Sequence, residues 1–260
     1  MAEFVRQSIE NQRATVTLTR PELHNAFNEV VIEELTRAFV ELGQNAGVRV
    51  VVLAAEGKSF CAGADIHWMK RMVDYSVEEN IEDATSMANM LRTIRECPKA
   101  VIARIHGATI GGGVGLAAAC DVAVAIESAV FCLSEVKLGI LPAVISPYVL
   151  EKVGPGSMRR YALTAERFNA DEAKRIGLIS ESVDGVDEMD AWIERIIASI
   201  TANGPEAITA CKGVLRDVQP LDWDGKQKLT VERIAERRVS EEGQEGLKAF
   251  LEKRRPGWTA

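Results

Sequence analysis

The residues able to do chemistry in this chain fall in three short stretches. Gly111, Gly112 and Gly113 follow an apolar run and lead into small residues, Val114 to Cys120. Glycine loses more chain entropy on folding than alanine, so a triplet implies close approach. Backbone N–H groups at a helix start can point at an anion or a polarised oxygen. Tight helix packing without a ligand explains the glycines equally well, and the residues alone leave both readings open. A second glycine turn lies in Ser59 to Ile66, SFCAGADI, also behind an apolar run. Two N–H groups from separate turns meeting on one oxygen would form an oxyanion hole, each donor worth on the order of 3 kcal/mol. The third stretch, Leu133 to Pro142, carries Glu135 among Phe131, Leu133, Val136 and Leu138. A carboxylate desolvated there would have a raised pKa and could pass protons. The competing reading of Glu135 is an ordinary surface strand residue.

Other chemistries lack their residues. No GxGxxG opens a strand–turn–helix unit, and Gly57-Lys58-Ser59 lacks the upstream glycine of a phosphate loop. His24, His67 and His106 stand alone, without metal-ligand spacing, and no Gly-x-Ser-x-Gly elbow occurs. The five cysteines form no CxxC pair and are odd in number, as expected of free thiols in a reducing compartment. A net charge of −7 argues against nucleic acid as partner, although Lys253, Arg254 and Arg255 form a local basic patch. The most apolar stretch, Ala108 to Cys120, is shorter than the roughly 20 residues a membrane span takes. The opening residues lack a signal pattern. These features predict a cytoplasmic protein with neither a metal nor a separate cofactor.

Placing the three stretches requires a layered scaffold. Phe4 to Ile9 and Ala14 to Leu18 alternate as a strand pair, and Asn28 can cap a helix with Ile32, Leu35, Phe39 and Leu42 on one face. Val48 to Ala54 is nearly continuous apolar sequence, expected of a strand buried on both faces. A helix over 76–96, a strand over 101–105, a helix over 114–120 and strands over 121–126 and 129–133 follow. That alternation predicts a partly parallel α/β sheet whose ligands gather where strand ends meet helix starts. Beyond Gly139 short helices are expected at 141–142, 147–153, 157–163 and 170–176, then a strand at 179–183. Four longer helices cover 186–202, 205–218, 223–239 and 241–253. The last of these are polar, as in a lobe that leans on another subunit or faces solvent.

Three ordered segments, SFCAGADI (59–66), IHGATIGGGVGLAAACDVAVA (105–125) and SEVKLGILPA (134–143), resemble the crotonase family, the enoyl-CoA hydratase/isomerase superfamily. RPELHNAFN (20–28) and FLEKRRP (250–256) resemble it as well, so the likeness covers essentially the whole chain. It implies a ββα-superhelix core over residues 1–200 and a C-terminal helical domain over 201–260, assembled as a homotrimer or homohexamer. It implies an acyl-CoA thioester as substrate, so that coenzyme A arrives with the substrate. Carried over by position, Ala64 and Gly112 match the family's two oxyanion N–H donors, and Glu135 its catalytic carboxylate. Ala62, Ala64 and Ile66 match the backbone cradle of the CoA adenine, with Leu23 nearby and Asp65 between them. Phe250 and Lys253 match residues that a neighbouring subunit lends to the CoA site.

One departure stands out. Two-glutamate hydratases carry their other glutamate two residues after the glycine triplet, where this chain has Gly115. Two expectations follow. A single-carboxylate isomerase could shift a double bond with Glu135 alone. Alternatively, Gly115 leaves room for a bulkier or carboxylated acyl chain. FCLSEVKLGILPAVISPYV and RRYALTAERF resemble more finely the bacterial hydratases of 3-methylglutaconyl-CoA and of longer 3-branched glutaconyl-CoA. Such a substrate carries a second carboxylate, for which Lys137, His67, Arg71 and Arg92 are candidates. Trp68 either walls the acyl pocket or packs in the core. A non-catalytic CoA- or RNA-binding relative is the alternative of another class. Thioester hydrolysis or dehalogenation on Asp65 or Glu78 is a further one.

Overall fold

Alternation and continuity of apolar residues sort the strands as expected. The computed structural model describes residues 3–259. β1 (Val5–Glu10) and β2 (Arg13–Leu18) form an antiparallel pair, with Ala14, Val16 and Leu18 pointing inward. β3 (Val50–Ala55) is buried at every position. Between them α1 (Glu29–Gln44) starts where Asn28 accepts a hydrogen bond from the Val31 N–H, satisfying one of the helix's unpaired donors.

From β3 onward the chain repeats one pattern: a strand in each of two sheets, then a helix. The first unit is β3, β4 (Ser59–Cys61), α2 (Ile66–Met72) and α3 (Val77–Glu96). The second is β5 (Ala100–Ile105), β6 (Ala108–Ile110) and α4 (Gly112–Ala119). The third is β7 (Val122–Ile126), β8 (Val130–Cys132) and α5 (Ser146–Thr164). One sheet has the order β1-β2-β3-β5-β7-β10, parallel from β2 onward; the other has β4-β6-β8-β9, with β4, β6 and β8 parallel. β9 (Phe168–Asn169), α6 (Ala170–Arg175) and β10 (Glu181–Val183) close the two edges. The main core fills the space between the sheets and α1, α3 and α4. A second apolar cluster joins the outer face of the large sheet to α7 (Val186–Thr201). This is the expected superhelix of ββα units.

Several local expectations change. β4 lies in the stretch read as the first glycine turn, and β6 in residues given no element; at three residues each they are too short to show a period of two. The small-residue helix starts at Gly112, two residues before Val114, and ends at Ala119. Leu141–Pro142 is irregular chain, not a helix. Glu135 lies on a 3-10 turn, Glu135–Leu138, not on a strand. Two other 3-10 turns occupy Pro21–Leu23 and Gly257–Thr259. Gly154, at φ 70°, interrupts α5 between its expected halves.

α8 (Pro205–Asp217), α9 (Trp223–Val239) and α10 (Glu241–Leu251) form the C-terminal lobe. Ala249 is the buried residue of these three helices. Polar bonds hold the lobe to the core: Lys212 Nζ donates to Asp121 Oδ2 at 2.6 Å and to the Lys99 carbonyl at 2.8 Å. Trp223, Val239, Phe250 and Leu251 are each more than three-quarters exposed. Among the described residues, no helix is long and apolar enough to cross a membrane.

Candidate active site

Three neighbouring parallel strands deliver the three stretches to one edge. β4 pairs with β6 and β6 with β8. Each is followed within three residues by a candidate group: Ala64 after Cys61, Gly112 after Ile110, Glu135 after Cys132. The two glycine turns press on each other. A methyl group at Gly113 would lie 2.4 Å from the Cys61 carbonyl oxygen, and one at Gly63 would lie 3.3 Å from that of Ile110. Gly111 N–H donates to the Cys132 carbonyl at 2.8 Å and ties the second turn to the third strand. The glycines therefore serve close packing of strand ends, and the same packing brings the turns together.

Both expected N–H donors are free. Ala64 forms an isolated parallel bridge with Phe27, in which Phe27 N–H donates to the Gly63 carbonyl and Asp65 N–H to the Phe27 carbonyl, each at 2.7 Å. The flanking groups carry the bridge, so the Ala64 N–H, on an exposed residue, is unspent. Gly112 opens α4, where the first-turn N–H groups lack an acceptor within the helix. Among the described residues, neither donor has a protein acceptor. The positive end of α4 adds to the attraction for a developing negative charge.

Glu135 stands over the same turn. Its Oε1 lies 3.1 Å from where a methyl group on Gly111 would sit, and its Oε2 is buried without a partner. Burial pushes the Glu135 carboxyl above the ordinary carboxylate range, against the pull of its own backbone N–H. A half-buried acid with a raised pKa and a free oxygen can hold a water or take a proton from carbon.

Asp65 is committed to structure, contrary to the substrate-contact and alternative-carboxylate expectations. It caps α2, accepting from the His67 N–H at 2.6 Å, and it pairs with Arg20 at 2.7 Å; both carboxylate oxygens are used. Burial pushes its pKa up, but the His67 N–H and the Arg20 guanidinium outweigh it and hold the carboxyl below the usual range. Glu78 is exposed in the first turn of α3. Trp68 packs in the core and donates its indole N–H to Asp83 at 3.1 Å, so the packing alternative holds.

The room expected at Gly115 is occupied. A methyl group there would lie 2.3 Å from Ile145 Cγ2 and 2.9 Å from Ile145 Cβ, with Leu91 Cδ1 at 3.7 Å. Ile145 is 2% exposed and belongs to the main core. The irregular segment after Pro142 thus folds an apolar side chain into the space that a glutamate at 115 would need, and Gly115 lines no acyl space. Of the four candidate cations, Arg71 pairs with Glu29 and Arg92 pairs with Glu96 at 3.0 Å. Among the described residues, the side chains of Lys137 and His67 have no bonded partner, and both are exposed.

The remaining expected positions are spread around the site. Ala62 N–H donates to the His24 carbonyl at 3.0 Å, holding the 20–28 turn against the first glycine turn. Leu23 is 37% exposed and Ile66 69% exposed beside that turn. Phe250 and Lys253 are exposed near the end of α10, which packs on α9 and α8 rather than on the strands that carry the site. Three further residues have a part in the site that no chemistry of their own announces: Arg20, Phe27 and Ile145. Arg20 and Phe27 lie in RPELHNAFN, where Asn25 provides a signal in hindsight. Its side-chain amide donates to the Glu56 and Ser59 carbonyls and its oxygen accepts from the Arg20 N–H. Nothing in the sequence marks Ile145.

Comparison with known proteins bears on the family and the fold. Residues 8–260 match the family model described as enoyl-CoA hydratase/isomerase. The structure superposes on an enoyl-CoA hydratase from Shewanella pealeana with a TM-score of 0.95 at 40% identity, covering 99% of this chain and 96% of that one. It superposes on AtuE of Pseudomonas aeruginosa with a TM-score of 0.95 at 32% identity, covering 99% and 100%. The peroxisomal Delta(3,5)-Delta(2,4)-dienoyl-CoA isomerase of Arabidopsis thaliana is 31% identical over 264 residues, covering 98% of this chain and 95% of that one.

Proposed function

This chain belongs to the enoyl-CoA hydratase/isomerase family, and on that premise we propose that it hydrates the 2,3 double bond of a branched glutaconyl thioester of the 3-methylglutaconyl-CoA type. The observation that carries the reading is the half-buried Glu135 carboxylate, whose Oε2 is buried and unpartnered, beside the turn that frees the Gly112 N–H. The Ala64 and Gly112 N–H groups grip the thioester oxygen. As water adds at C3, electrons move through C2 onto that oxygen, and the two donors stabilise the enolate formed. Glu135 takes the proton from the attacking water and returns one to C2, so a single carboxylate serves in turn as base and acid. Its raised pKa suits both roles.

The glutaconyl assignment is supported by the resemblance of residues 131–168 and by the free side chains of Lys137 and His67. Lys137 lies two residues beyond Glu135 on the same turn, and His67 lies on α2, just after the Ala64 turn. Either can receive the second carboxylate of the substrate, while Arg71 and Arg92 are already paired. The exposed apolar side chains of α9 and α10 support a homotrimer or homohexamer in which the 201–260 lobe packs between subunits. In that assembly Phe250 and Lys253 would reach a neighbour's CoA site.

One observation favours a second reading. Ile145 fills the seat of a second carboxylate, and moving a proton between two carbons needs only one base, as in a 3-enoyl to 2-enoyl-CoA isomerase. A panel of CoA thioesters followed by ultraviolet absorbance separates the two. Loss of conjugated absorbance with 3-methylglutaconyl-CoA supports hydration. Gain of absorbance with a 3-enoyl-CoA, and no change with 3-methylglutaconyl-CoA, sinks it in favour of the isomerase.

A further inference from the structure

Phe27 touches both halves of the oxyanion site. Its backbone makes the bridge to the first turn, donating to the Gly63 carbonyl and accepting from Asp65 N–H on either side of Ala64. Its ring meets the second turn: a methyl group on Gly112 would lie 2.6 Å from Phe27 Cε2 and 2.9 Å from Cδ2. The residue is 1% exposed, so the ring cannot swing away from this contact. The Asn28 cap follows it at once and fixes the start of α1. On the other side, Asn25 and Arg20 bind the 20–27 turn to Ser59 and Asp65.

We infer that Phe27 is a positioning residue that sets the separation of the two N–H donors, its backbone holding Ala64 and its ring holding Gly112. The inference rests on the oxyanion reading of those two groups and extends it to a residue that touches neither substrate nor reacting atoms. Hydrogen bonds weaken steeply once distance and angle depart from their preferred range. A spacer of fixed width between two separately folded turns therefore decides whether both donors reach one oxygen. An aromatic ring is rigid and incompressible in a close-packed interior. A flexible aliphatic side chain keeps the backbone bridge but not the width. The same contact favours glycine at position 112: a methyl group there would push against the ring and would lie 2.9 Å from Met87 Cε.

The test is isotope-edited infrared spectroscopy of bound butyryl-CoA labelled with carbon-13 at the thioester carbonyl. This saturated probe reports the donors without turnover. Wild type should lower the carbonyl frequency relative to water. Phe27→Leu, and Phe27→Met should the first fold poorly, should lose most of that shift while the affinity for the probe stays within about threefold. Turnover should fall by roughly ten- to a hundredfold, the scale of an ångström-level misplacement. Gly112→Ala should cost less in the Phe27→Leu background than in wild type, because two of its three close contacts are ring atoms. A full wild-type shift in both Phe27 variants overturns the inference, as does equal cost of Gly112→Ala in the two backgrounds. Absence of any shift in wild type overturns the oxyanion reading and this inference together. A wild-type shift that the variants lose, with no turnover of any enoyl thioester, counts against the proposed reaction only and leaves the spacing role standing.

Discussion

Gly115→Ala discriminates between a filled and an open wall beside α4 by the sign of its effect. Inside a helix, replacing glycine by alanine stabilises by about 1 kcal/mol when the new methyl group meets nothing. Here the methyl group would meet Ile145 Cγ2 at 2.3 Å and Ile145 Cβ at 2.9 Å, where ordinary contact begins at 3.4 Å. Ile145 is buried and cannot move outward freely. Overpacking of this kind costs about 1–3 kcal/mol, and an overlap of this depth belongs in the upper half of that range. Subtracting the helix-propensity gain leaves a net loss of about 1–2 kcal/mol, or roughly 2–8 °C in Tm for a chain of this size. Urea unfolding and calorimetry measure it. Ile145→Ala removes Cγ2, so Gly115→Ala should be milder in that background, with a coupling between about 0.5 and 3 kcal/mol. A stabilised Gly115→Ala, or identical costs in the two backgrounds, would show that Ile145 does not fill the space. The consequence for engineering is that Gly115→Glu alone should not create a two-carboxylate hydratase, because Ile145 must be shortened first.

Glu135→Gln should lower turnover by about a hundred- to ten-thousandfold, the usual worth of a positioned acid–base group, while leaving CoA affinity near wild type; unchanged turnover would remove Glu135 from the mechanism. The same variant has a signature in stability. Because burial raises the folded pKa of Glu135, its contribution is fully present below the unfolded pKa and is lost as pH rises through the folded value. Glu135→Gln should therefore gain stability relative to wild type as pH increases through that range, and a parallel pH dependence of the two proteins would refute the buried carboxyl. Asp65 has the opposite sign: its pKa is depressed, so its stabilisation is present above the unfolded pKa and fades as pH falls through the folded one. Asp65→Asn should be less stable than wild type near neutrality and approach it in acid, as acid-titrated denaturation would record. Lys212→Met should destabilise by about 2 kcal/mol, since it leaves a largely buried Asp121 carboxylate without its ammonium partner; protease cleavage within α8–α10 should become faster, and an unchanged cleavage rate would mean that other contacts hold the lobe.

Much of the fold was legible because it follows from local rules. The continuous apolar run of β3, the alternation in β2 and the cap at Asn28 all act within a few residues and are written in neighbouring side chains. Ordered motifs likewise revealed the family, and with it the expectation that Ala64, Gly112 and Glu135 belong together. β4 and β6 were hidden for a physical reason. Three residues cannot display a strand period, and these strands exist because each finds partners on a neighbouring segment.

The sequence by itself determined the candidate groups and the missing second glutamate, since residue type and spacing survive any folding. Tertiary structure alone decided what surrounds them. Asp65 looked available for substrate until Arg20, 45 positions earlier, was brought to its carboxylate. Gly115 looked like open room until Ile145, 30 positions later, was folded against it. Glu135 could have been a solvated surface residue, and only the closure of its turn over Gly111 desolvates it. In each case the deciding contact joins residues distant in the chain. Burial, pKa and free volume are properties of that contact and not of any local stretch.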